Sequence, residues 1–214
     1  MKKIILIIII LVFTAGCTNI NKLSYDDIVN NITTISTKDN IYRTGYSYYL
    51  PRGMKVADST LYNEVIEDAN SKYYLYVDVV SFYKKITKEY EINNNAIYSS
   101  KINYNDKFGY VEVNLLKNDK YLVEIMYNYA KIEVIVDKSK CKEAMLSIIN
   151  ILKSVEYNDS IIANLMGDDI LNFNEEEFNI FNTKGSESNY LTVDNDYKDY
   201  KEEEEKIFDP DLIN

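Results

Sequence analysis

Few side chains in this 214-residue chain can do covalent or acid–base chemistry, and their spacing narrows the choice further. There is no histidine, which excludes Ser-His and Cys-His nucleophile pairs, His-bearing metal sites and the commonest general base. The two cysteines are Cys17 and Cys141. Cys141 stands near the start of a stretch with helical periodicity, between Lys140 and Lys142; a helix N-terminus and adjacent cations would lower a thiol pKa. The plain alternative is a small, half-buried helix residue. Ser81 with Lys84 and Ser139 with Lys142 share the Ser-x-x-Lys spacing that sets an amine beside a hydroxyl on a helix, but the spacing is short enough to arise by chance. The Ser-Asp-Asn and Lys-Thr-Gly segments that complete such an acyl-enzyme site are missing. Asp194, Asn195, Asp196 and Asp199 approximate the opening of a calcium loop. That loop needs Gly at its sixth position, where this chain has Asp199, and Glu at its twelfth, which is Glu205. One match of two in an acidic run reads more simply as solvated charge. No pair of acids nominates itself as the two carboxylates of a glycan hydrolase. The expectation is no catalytic residue, no cofactor and no metal.

The remaining chemistry is at Cys17. Lys2 and Lys3 precede an unbroken apolar run over residues 4–13, followed by Thr14, Ala15, Gly16 and then the cysteine. A spanning helix needs about 20 apolar residues, so this run has the length of an export signal rather than of an ordinary anchor. The cysteine placed directly after Ala15 and Gly16 resembles the lipobox of bacterial lipoproteins. In that family the cysteine thiol receives a diacylglyceryl group and a dedicated peptidase cuts before it. Thr14 departs from the Leu usual three places before the cysteine. The resemblance implies a signal peptide over residues 1–16 and lipidation of Cys17. It also implies residence at the cell membrane, held by lipid on the extracytoplasmic face. One acyl chain binds a membrane reversibly, whereas two or more hold it stably.

Charge agrees with anchoring by lipid rather than by basic patches. The whole chain is at −10, and its first sixteen residues hold two of the 24 basic residues and no acid, leaving 22 against 34 and a net −12. Such a surface repels nucleic acid and anionic headgroups, so no nucleic-acid partner is expected. With Cys17 lipidated, Cys141 has no partner for an internal disulfide.

The elements that would position these residues follow from periodicity. Residues 17–40 read as the lipidated cysteine, a polar tether and a short helix near 25–32, opened by the capping-box spacing of Ser24 and Asp27. Residues 41–158 read as one α+β domain. A two-residue period over 42–48 predicts a strand ending at Pro51 and Gly53, with further strands over 61–67 and 73–82. Residues 83–95 are polar and read as a helix or a long excursion. Strands resume over 97–104, 110–116, 121–127 and 131–136 as a meander with short connections. Ala144, Met145, Ile148, Ile149 and Leu152 then form a stripe at helical spacing, predicting an amphipathic helix over 139–153 that covers the sheet. The architecture expected is a curved antiparallel sheet of about six to seven strands under that helix. Residues 159–182 read as short helical segments docking on the domain, with Ser160 and Asn174 as caps, and 183–214 as a disordered acidic tail.

This order of elements, with Tyr48-Tyr49-Leu50-Pro51-Arg52-Gly53 early and a helix ending in Leu152-Lys153-Ser154-Val155, resembles the Mog1/PsbP-type fold. The likeness spans about residues 42–157 and implies an accessory or scaffolding role. The 21 tyrosines are the one compositional excess with a functional reading. Tyr46, Tyr48, Tyr74 and Tyr76 would line a ligand surface for a small molecule or glycan, although aromatic residues also favour strands. The reading these features favour is a membrane-anchored surface lipoprotein. It would be non-catalytic and would bind a protein or envelope partner.

Overall fold

The structure, a computed structural model, describes residues 20–167. The signal-like segment, Cys17, Asn174 and the acidic tail with Asp194 lie outside the described residues.

Helix α1 (Tyr25–Val29) begins as the spacing requires. The Ser24 hydroxyl accepts from the Asp27 N–H at 3.0 Å while the Asp27 carboxylate accepts from the Ser24 N–H at 2.9 Å. A tighter helical turn over Asn30–Thr33 continues it. The strand expected over 42–48 is instead a hairpin, β1 (Ile41–Tyr42) against β2 (Tyr46–Tyr48), with Ile41 opposite Tyr48. Gly45 turns the chain at φ +92°, a conformation open to glycine and resisted by other residues, so the alternation breaks there.

Strand β3 (Lys55–Ser59) has no counterpart in the sequence reading, because only Val56 among its five residues is a strong strand former. Strands β4 (Asn63–Glu67) and β5 (Lys72–Val77) follow. The strand expected to run to residue 82 stops at Asp78, whose carboxylate accepts from the Ser81 N–H at 2.8 Å and starts helix α2 (Val79–Lys84). Residues 85–97 form the excursion, without regular structure. Then come β6 (Tyr98–Tyr104), β7 (Lys107–Leu115), β8 (Lys120–Tyr127) and β9 (Ala130–Asp137), the expected meander. Helix α3 (Cys141–Leu152) occupies the predicted stripe. β10 (Glu156–Tyr157) and α4 (Asp159–Gly167) complete the described chain. The cap of α4 is Asn158 rather than Ser160, since Asn158 Oδ1 accepts from the Ile161 N–H at 3.1 Å.

The architecture is α+β. Seven antiparallel strands form one sheet in the order β3-β4-β5-β9-β8-β7-β6, and β1-β2-β10 form a second. Strand β5 is inserted beside β9, so the meander joins the earlier strands at the middle of the sheet. Register assigns the faces. Tyr73, Leu75, Ile132, Val134, Val123, Ile125, Val111 and Val113 point to one side and are buried there. Helix α3 covers the centre of that side with Met145, Ile148, Ile149 and Leu152, all buried. Helix α1 packs on α3 and reaches the β6 end, where Tyr25 stacks on Tyr98 at 5.0 Å. The small sheet covers the β4 end. Ser154 ties it to α3, accepting from the Tyr49 N–H at 2.8 Å and donating to the Ile151 carbonyl at 2.7 Å. Among the described residues no helix is long and apolar enough to cross a membrane.

Candidate functional site

Two buried polar clusters, one on each face of the seven-stranded sheet, are where chemistry could occur. The first sits in the core. Tyr62, just before β4, and Glu64 and Ile66 within it alternate on the inward side, so an acid occupies a position that the pattern reserves for apolar residues. Its side chain is fully screened from solvent. Arg43, carried by the β1–β2 turn, grips it with two prongs, Nε to Oε1 at 3.2 Å and Nη2 to Oε2 at 2.8 Å. From β2, the Tyr46 hydroxyl donates to Oε1 at 2.8 Å and the Tyr48 hydroxyl to Oε2 at 2.9 Å. The Glu64 hydrogen bond raises the Arg43 pKa, and burial, followed by the Glu64 charge, pushes both tyrosines well up. Four donors on two oxygens in a closed core leave this carboxylate no free face to offer a substrate. Its role is architectural, locking the small sheet to β4.

The second cluster lies on the opposite face. Glu133 of β9, Glu124 of β8 and Glu112 of β7 are cross-strand neighbours, with Tyr74 of β5 and Ser99 of β6 at the ends of the row. The adjacent row holds Tyr76, Lys131, Met126 and Tyr110. Lys131 Nζ lies 2.7 Å from Glu133 Oε1, and both residues are buried. Tyr110 donates to Glu124. Beside this row a cavity of about 80 Å³ is lined by Tyr76, Lys131, Met126 and Tyr110 from the sheet, with Phe108 and Tyr129 at one end and Asp78, Ser81, Ile86 and Lys88 along its rim. Pockets that enclose a small-molecule ligand run to about 300–1,000 Å³.

The four tyrosines named from the sequence do not share a surface. Tyr46 and Tyr48 are sealed in the core on Glu64, while Tyr74 and Tyr76 stand on the other face, where only Tyr76 meets the cavity. Ser81 lies in the first turn of α2 rather than at a strand end, and its N–H is bound to Asp78. The Lys142 amine donates to the Leu23 carbonyl at 2.6 Å, so it ties α3 to the N-terminal segment. No group of three or more acidic or cysteine side chains among the described residues is arranged to hold a metal ion.

Cys141 is buried in the first turn of α3, with its Sγ 4.0 Å from the Tyr25 hydroxyl and 4.0 Å from Met145 Sδ. Burial pushes its thiol up to about 11, outweighing the lowering by the Tyr25 hydrogen bond and by Lys142. Since the thiolate is the reactive form, Cys141 in the native protein should react with a maleimide-type or disulfide reagent at neutral pH far more slowly than a free thiol, and at the free-thiol rate once denatured. Native modification as fast as the model thiol would restore the nucleophile reading.

Sequence reasoning missed Glu64, Glu124 and Glu133. The available signal was an acid at an inward or doubly apolar strand position, as in Leu122-Val123-Glu124-Ile125 and Lys131-Ile132-Glu133-Val134, but only register brings the acids together. No protein-family model matches this chain, and no curated protein matches it.

Proposed function

We propose that this protein is a lipid-anchored, extracytoplasmic binding module of a bacterial envelope, fixed to the membrane through Cys17 and acting on a protein or envelope partner without catalysis. The observation that carries this reading is Cys17 itself, set directly after Ala15-Gly16 and a ten-residue apolar run behind two lysines. The fold supports it. The core carboxylate is saturated by its own donors, Cys141 is inert by burial, and the cavity is too small to enclose a sugar or cofactor. The cavity instead suits the insertion of one side chain from a partner, with Ile86 at its rim 47% exposed and Lys88 beside it. The resemblance to the Mog1/PsbP-type fold points to the same accessory role.

Metabolic labelling with an alkyne fatty acid tests the anchor. The wild-type protein should carry the label and partition with membranes. Cys17→Ala should lose the label and either enter the medium or persist unprocessed. Equal labelling of the variant would remove the basis of the proposal.

A further inference from the structure

The row of acids opposite α3 has a covering that belongs to the chain itself. Glu133 stands opposite Glu124, and Glu124 opposite Glu112, so three carboxyl groups lie side by side on adjacent strands. Cross-strand neighbours have Cβ atoms about 4.5–5.5 Å apart, and like charges so placed repel. Glu133 is paired with Lys131 at 2.7 Å, and Glu124 stands between the other two acids, so Glu124 is the carboxyl group of the row that gains most from holding a proton. Glu112 is held differently. Tyr90 donates to it, as do Asn93 Nδ2 and Asn114 Nδ2, each at 2.8 Å. Burial pushes the Glu112 carboxyl up, but these hydrogen bonds together leave it below its ordinary value, ionised beside Glu124.

Two of those donors, Tyr90 and Asn93, belong to the 85–97 segment, which leaves α2 and lies across this face of the sheet. The Tyr90 ring stacks on that of Tyr110 at 4.2 Å with the planes 4° apart. Tyr110 donates to Glu124 while Tyr90 donates to Glu112, so one aromatic pair couples the segment to the carboxyl row at two points. We propose that residues 85–97 form a pH-responsive strap, held down while Glu124 carries a proton, and loosened when that proton leaves.

The direction follows from the groups facing Glu124. Tyr110 and Glu112 face it from β7 and Lys131 and Glu133 from β9, and the strap reaches it through Tyr90, which binds Glu112 and stacks on Tyr110; its neighbours on that face of β8 are the uncharged Leu122 and Met126. Burial first, and the Glu133 charge after it, push the Glu124 carboxyl up to about 7, against the opposing pull of Lys131. A folded-state value above the unfolded one stabilises the native protein fully below the unfolded value of about 4.3, and that stabilisation is lost as pH rises through about 7. Above that point Glu124 is ionised beside the ionised Glu112. Hydrating them requires water to enter where the strap now lies, and lifting it would open the cavity whose rim carries Ile86 and Lys88.

Hydrogen–deuterium exchange of the full chain at pH 5.5 and pH 8, corrected for intrinsic exchange, reads the strap directly. Protection in peptides covering 85–97 should fall several-fold in the wild type between these conditions and stay constant in Glu124→Gln, while the β8 and β9 peptides change little in either. Constant strap protection in the wild type, or the same fall in Glu124→Gln, overturns the proposal. Should Glu124→Gln not fold, ¹³C titration of the wild-type glutamate carboxyl groups decides. A midpoint near 7 that moves together with the strap amides supports the latch, and midpoints all below about 5.5, within the ordinary glutamate range, reject it.

Discussion

Glu64→Ala is expected to lower the unfolding free energy by about 3–5 kcal/mol, the usual cost of removing one partner from a buried, hydrogen-bonded ion pair. The carboxylate accepts from Arg43, Tyr46 and Tyr48. Its removal leaves two buried hydroxyls and a half-buried guanidinium without their acceptor, beside a cavity that water cannot readily fill. Domains of this size are stable by only about 5–15 kcal/mol, so the variant should populate unfolded protein near physiological temperature. Partial deletions should grade. Tyr46→Phe and Tyr48→Phe each remove one donor to a charged acceptor, and each should cost about 1.5–3 kcal/mol. The double variant Glu64→Leu/Arg43→Leu should be less damaged than the sum of its single changes, since the two residues form one network. Urea midpoints check all of these. A Glu64→Ala midpoint equal to wild type would mean that the small sheet is not locked to β4 through this residue.

Ile148→Ala and Leu152→Ala come next in size. Both side chains are fully buried where α3 meets β8 and β9, and truncating such a residue costs about 2–5 kcal/mol through lost transfer free energy and the cavity left behind. The matched control is Glu143→Ala. Its ion pair with Lys140 is half exposed on both partners, so the change should stay within about 0.5 kcal/mol. Lys142 is the wrong control despite its apparent place on the polar face, because its amine caps the Leu23 carbonyl and lies over the Tyr25 ring at 5.7 Å. If Ile148→Ala and Glu143→Ala melted together, α3 would not be the cover of the sheet.

Elements whose identity rests on one sustained period were legible before any coordinates. The stripe of α3 and the alternation of β7, β8 and β9 are local signals, and the short connections between those strands fix their antiparallel order. Elements decided by a single backbone or capping event were not. The Gly45 turn makes two strands of what the alternation reads as one, and the Asp78 cap converts the end of an apolar run into α2. The candidate site was the least legible part. Arg43 and Glu64 are 21 positions apart, and Glu124 meets Glu133 only through strand register, so neither pair has a spacing to read. The tyrosine set failed as a unit for a related reason. Tyr46 and Tyr74 both alternate correctly within their strands, but alternation does not say which face looks inward.

The cover of the seven-stranded sheet is assembled from opposite ends of the chain, and this has a consequence for synthesis. A nascent polypeptide that has emerged only as far as Asp137 contains every strand of that sheet, yet lacks α3 and β10. Its apolar face would be covered only by α1 and the β1–β2 hairpin, each of which lacks part of its docking surface, α3 for the helix and β10 for the hairpin. Pairing of β10 with β2 closes Tyr157 against Tyr46 across more than half of the chain, so the last step cannot precede the arrival of residues 156–157. Completion is therefore late. A partly emerged chain must be kept from associating through its strands, and truncations that stop short of Tyr157 should behave as aggregating fragments rather than as smaller folded domains.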